Sequence, residues 1–160
     1  MKNCLFLLFV IYNVDTYSQG IESLSERKFN LIRSVSYDLP TGAKSPIYKD
    51  AFFNYFLKQK RKVVPFLIDK IADTSFTSIE RKTVNASYRK GELAIILLSN
   101  LVSIPYASIS RMQWCICCET GYIPEGFFSY LDENRLSFQS KFRDYYFNEY
   151  CKKRKRSKKI

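Results

Sequence analysis

The chain has 160 residues, with 26 Lys and Arg against 15 Asp and Glu, a formal charge of +11 and no histidine. The missing histidine excludes Ser-His-Asp and Cys-His catalysis, the common zinc hydrolases and imidazole acid–base work at neutral pH. A hydrophobic content of 46%, with 13 Phe and 12 Tyr, is ample for an aromatic-rich core of one-domain size.

Met1-Lys2-Asn3 is a short cationic start, and Cys4 to Tyr12 is a nine-residue apolar run followed by polar residues. This is the layout of an export signal, and the run is too short to span a bilayer. Small side chains at Thr16 and Ser18 fit signal peptidase and place the expected cut between Ser18 and Gln19. Residues 1–18 are therefore expected to be a signal peptide, 19–151 a helical domain and 152–160 a disordered basic tail. The expected compartment is periplasmic or secreted, with no transmembrane segment after cleavage.

Residues 21–35 carry Ile21, Leu24, Phe29, Leu31, Ile32 and Val35 among polar residues, which predicts an amphipathic helix. Pro40, Gly42 and Ser45 mark a loop, and Pro46 can open a helix running to about Gln59. Lys58 to Lys62 is a basic turn. Val64, Leu67, Ile68 and Ile71 give the next helix, Val63–Asp73. Thr74 to Arg89 is polar and without clear period, long for a loop. Leu93 to Val102 is apolar nearly all round, which predicts a central buried helix ending before Pro105. Residues 107–124 read as an irregular cross-linked loop. A short helix is expected from Pro124 through Tyr130. The last helix, capped by Asp132 or Asn134, should run from Glu133 to about Lys153, with Leu136, Phe138, Phe142, Tyr145, Tyr146 and Tyr150 as its apolar stripe. No strand-like alternation is sustained, so the expected fold class is all-α: a compact single-domain helical bundle.

Outside the cytoplasm, Cys115, Cys117, Cys118 and Cys151 are expected to form disulfides. Adjacent Cys117 and Cys118 would pair under strain, so a bond from the cluster to Cys151 is the expected staple. Zinc is disfavoured because C-x-C-C lacks two C-x2-C pairs and no histidine completes a set. Cys115 and Cys118 have C-x-x-C spacing without a thioredoxin-like setting, so no redox role and no cofactor are expected. Glu92, Glu119, Glu125, Asp132 and Glu133 are the acids available to a carboxylate-pair enzyme, but helix caps and solvated surface explain them.

The segments Val63–Ile79 and Tyr88–Val102 resemble the two antiparallel helices of one HEAT-type repeat, with Gly91, Ala94 and Leu98 in the second helix. More widely, the export signal, Pro65 to Thr74, Gly91 to Leu98, Ile104-Pro105, Trp114-Cys115 and the aromatic stretch Phe138 to Tyr150 resemble a family of uncharacterised small exported proteins of Bacteroidota-type bacteria. That resemblance implies a fold and a compartment, and carries no activity or catalytic residue.

The expected function is that of a noncatalytic exported protein binding another macromolecule, in its most specific form an immunity-type protein facing a periplasmic toxin. Loop-edged faces of helical hairpins serve such binding. The expected partner surface comprises Thr77, Arg81, Lys82 and Tyr88 on the polar stretch and Trp114 and Tyr122 on the cysteine loop. The rivals are a carboxylate enzyme acting on envelope glycan and a surface binder working through its tail. Residues 152–160 carry seven positive charges, whereas the body between signal and tail has 18 basic and 14 acidic side chains. Export argues against nucleic acid and directs that tail towards an anionic envelope surface.

Overall fold

The computed structural model describes residues 24–35, 50–81, 86–114, 123–124 and 126–150. The expected signal segment with Ser18 and Gln19, the four cysteines, Lys82, Tyr122 and the tail from 152 all lie outside them. Among the described residues no helix is long and apolar enough to cross a membrane.

Helix α1 covers residues 24–30 and buries Ser25 and Phe29, with Ile32 just beyond it on the same spacing. Helix α2, Ala51–Gln59, starts at Asp50. One oxygen of that carboxylate accepts the N–H groups of Phe52 and Phe53 at 2.8 and 2.9 Å, satisfying two of the donors that every helix start leaves open. The other oxygen accepts the N–H groups of Arg33 and Ser34 at 2.8 and 3.2 Å, tying the segment after α1 to the start of α2. Burial alone would raise the Asp50 pKa, but these four N–H groups outweigh it and hold the carboxyl below its ordinary value. The rings of Phe29, Phe56 and Phe66 then close the joint, with Phe29 edge-on to both others at 5.8 Å.

A 3₁₀ turn, Lys60–Val63, leads into helix α3, Val64–Lys70, where Pro65 sits in the first turn and forfeits no helical hydrogen bond. The polar stretch beyond α3 is not the expected loop. Strand β1, Phe76–Arg81, pairs antiparallel with β2, Ala86–Arg89, in the register Phe76↔Arg89, Glu80↔Ser87 and Arg81↔Ala86. The described residues are 67% helical and 10% strand, so the fold is mixed α/β and not all-α. The HEAT-like pair in an all-α bundle is corrected with it: α3 does pack on the next helix, but a β-hairpin rather than a polar turn joins them.

The hairpin escaped the apolar pattern because its inward face is only half apolar. Thr77, Ile79 and Arg81 point inward while Phe76, Ser78 and Glu80 point outward. The alternation has the strand period of two, but polar residues occupy inner positions and a phenylalanine occupies an outer one.

Helix α4, Lys90–Leu101, buries every residue from Gly91 to Ser99 and is the central helix its composition predicts. Helix α5, Tyr106–Ser110, occupies part of the stretch expected to be irregular. Helix α6, Phe127–Asp144, is two helical stretches joined across a kink at Asn134, whose φ −123° and ψ 17° are not helical, and a π-helical turn continues it at Tyr145–Tyr150. The kink falls where the start of the last helix was expected, and the Asn134 amide there donates back to the Tyr130 carbonyl at 3.0 Å. The buried stripe of α6 is Leu131, Arg135, Phe138 and Phe142, while Leu136 is 72% exposed. An inward arginine thus takes the place that apolar spacing assigned to Leu136.

Two elements converge on the end of α3. Gln139 of α6 donates to the carbonyls of Ile68 and Asp69 at 2.9 and 2.8 Å, and Arg135 donates to that of Ile71 at 3.3 Å. The Gly91 N–H donates to the Asp73 carbonyl at 2.9 Å, and a Cβ built at Gly91 would overlap the Ile71 oxygen and the Arg135 guanidinium. The close approach of α3 and α4 is therefore made at Gly91. Gly91→Ala gains about 1 kcal/mol of helix propensity but drives a methyl into backbone, an overpacking worth roughly 1–3 kcal/mol. The expected outcome in urea denaturation is a net loss of stability, and a variant as stable as the parent would refute this packing.

Candidate functional site

The hairpin stands on α4 and α6 through two arginines. Arg81, at the end of β1, reaches inward. Its guanidinium lies 5.6 Å from the Tyr88 ring centroid and 5.2 Å from that of Phe128, and it contacts Glu92 at 3.3 Å. Glu92 is 1% exposed. Its second oxygen accepts the Arg89 N–H at 2.7 Å, the reach-back of a third-position glutamate to the residue preceding its helix. One buried carboxylate therefore pins both ends of the hairpin.

Arg89, at the end of β2, turns the other way. Its guanidinium lies 5.5 Å from the Phe76 ring and 3.2 Å from Asp132, which also accepts from Arg135 at 2.7 Å. Phe76 is 65% exposed, so the outer rim of the hairpin is an open aromatic ring backed by a fixed guanidinium. From the segment after α1, Arg33 adds a contact to Ser78 at 3.2 Å on the same outer side.

Of the expected partner residues, Thr77, Arg81 and Tyr88 are brought together, but as scaffold. The Thr77 hydroxyl donates to the Tyr88 carbonyl at 2.8 Å and accepts the Ile79 N–H at 3.2 Å. Tyr88 is 8% exposed and packs edge-on to Phe128. Burial pushes its phenol pKa up, with the Arg81 charge opposing and the Glu92 charge adding to the rise. Trp114 packs against Phe127 and Tyr130, both at 5.8 Å, and donates its indole N–H to Ser110 at 2.8 Å. The hairpin and Trp114 thus meet the neighbouring rings Phe128 and Phe127 at the start of α6. Phe76, Arg89 and Asp132 were not in the expected partner set. Strand alternation from Phe76 onward is the signal that would have found the first two.

Among the described residues no group of three or more His, Cys, Asp or Glu gathers to hold a metal. The acids beneath the hairpin are each committed to arginine: Glu92 to Arg81, and Asp132 to Arg89 and Arg135. Comparison of the chain with protein-family models, curated proteins and solved structures finds no match.

Removing one partner of a buried ion pair strands the other charge, whereas removing both is far milder. Arg81→Met is therefore expected to lose roughly 2–3 kcal/mol, and adding Glu92→Gln to it should recover at least about 1 kcal/mol. Strictly additive losses in a urea double-mutant cycle would show that the pair does not anchor the hairpin.

Proposed function

We propose that the chain is an exported, noncatalytic protein that binds a protein partner through the outer face of its β-hairpin. The carrying observation is Phe76, a large aromatic side chain that is 65% exposed on an element anchored from beneath. An aromatic ring next to an arginine is the composition of binding hot spots. Arg89 is already held by Asp132, so docking against it immobilises little that was free. The more specific form of the reading is an immunity-type protein that neutralises a toxin delivered outside the cytoplasm. Small size and the expected export signal support that form, as does the commitment of the nearby carboxylates to structural ion pairs.

The test compares the full chain with its Phe76→Asp variant as bait in an envelope extract of the source organism. Because the position is exposed, the substitution should change stability by no more than about 0.5 kcal/mol. The expected result is one protein retained by the parent and lost by the variant. Retention of the same protein by both, or of none by the parent, would refute the hairpin face as the binding surface.

A further inference from the structure

A second surface lies where α2 hands over to α3. An open concavity of about 670 Å³ is lined by Leu57, Asn100, Leu101 and the run Lys58 to Lys62. Four of these side chains are basic, and among the described residues that line the hollow none is acidic. Lys58, Lys60 and Lys62 are exposed. Lys58 has a local reason to be there, since a cation complements the negative end of α2. Lys62 lies beyond that helix end and has no such reason.

Lys60 adopts φ 53° and ψ −128°, a region that suits glycine and strains a residue with a Cβ. Such positions cost about 1–3 kcal/mol and persist where something else is gained. A glycine at 60 would make the same turn without strain and without adding to like-charge repulsion. The turn itself ends α2 abruptly and folds the chain into the 3₁₀ segment, so that consecutive basic side chains border one hollow instead of spreading around a helix. Anchoring of the segment falls to buried Val63 and Val64, which leaves the lysines no packing role.

We infer that this corner binds phosphate-bearing anions. The exposed ammonium groups of Lys58, Lys60 and Lys62, around a hollow with no acid among its lining residues, form the charge-assisted contacts that phosphate oxygens take well. The inference is independent of the hairpin reading, because it concerns different residues on a different joint.

The experiment uses the full chain, its basic tail included, at an ionic strength of about 0.15 M. Titration with inorganic pyrophosphate reads a free phosphate source. Co-sedimentation with phosphatidylglycerol–phosphatidylcholine vesicles, against pure phosphatidylcholine vesicles, reads a lipid head group. The test variant is Lys58→Ala/Lys60→Gly/Lys62→Ala, whose glycine relieves the backbone strain, so its thermal midpoint should not fall below the parent's. The parent is expected to bind at least one of the two probes, and the variant to bind it about tenfold or more weakly. Binding of neither probe by the parent, or equal binding by parent and variant, which would assign it to the tail, overturns the proposal.

Discussion

A helix ends in carbonyl groups with no helical partner, and burying such groups unsatisfied is costly. Helix α3 is only seven residues long, and its last carbonyls are met by groups from the rest of the fold. Gln139 and Arg135 come from α6 to the carbonyls of Ile68, Asp69 and Ile71, and Gly91 of α4 brings its N–H to that of Asp73. These groups can all reach one helix end only if α4 passes against the α3 backbone, which is why position 91 has no side chain. Placement of α4 and α6 depends on that joint, and so does the point from which the hairpin emerges.

From the joint outward, charge alternates. Arg135 holds Asp132, Asp132 holds Arg89, and Glu92 holds both the Arg89 backbone and the Arg81 side chain. A two-stranded ribbon has little stability of its own and needs a surface to pack on. Here the inner face has Ile79 and Tyr88 for burial and Arg81 for fixing to Glu92, while Arg89 on the opposite side is fixed by Asp132. The outer face is left with Phe76, Ser78 and Glu80. An element fixed on one side and open on the other suits recognition, since partners gain from groups already held in place.

The helices were legible wherever burial kept to the helical period. Val64, Leu67, Ile68 and Ile71 mark α3, and the run from Leu93 marks the buried centre. Two features were hidden for the same reason, a polar group in an inward position. In the hairpin, Thr77 and Arg81 share the inner face with Ile79, so apolar counting sees no strand. In α6, Arg135 lies on the buried stripe with its two terminal guanidinium nitrogens bonded to the Ile71 carbonyl and to Asp132, and Leu136 is displaced to solvent. Asp132 is close in sequence, but the Ile71 carbonyl is 64 positions away, beyond the reach of any local pattern. The hairpin segment stands out in the sequence as a polar stretch, but which of its residues face outward depends on a strand pairing that the sequence pattern does not disclose.

The central claim is that the hairpin is held as one unit with the joint of α3, α4 and α6. Native-state amide hydrogen exchange reads this directly, because cooperative units open together. The N–H groups of Lys90 and Gly91, which bond to Ser75 and Asp73, and that of Ile79 within β1 should exchange only with openings that also expose the middle of α4. Exchange of these amides orders of magnitude faster than that of Ile95 or Ile96 would show the hairpin moving independently and contradict the account.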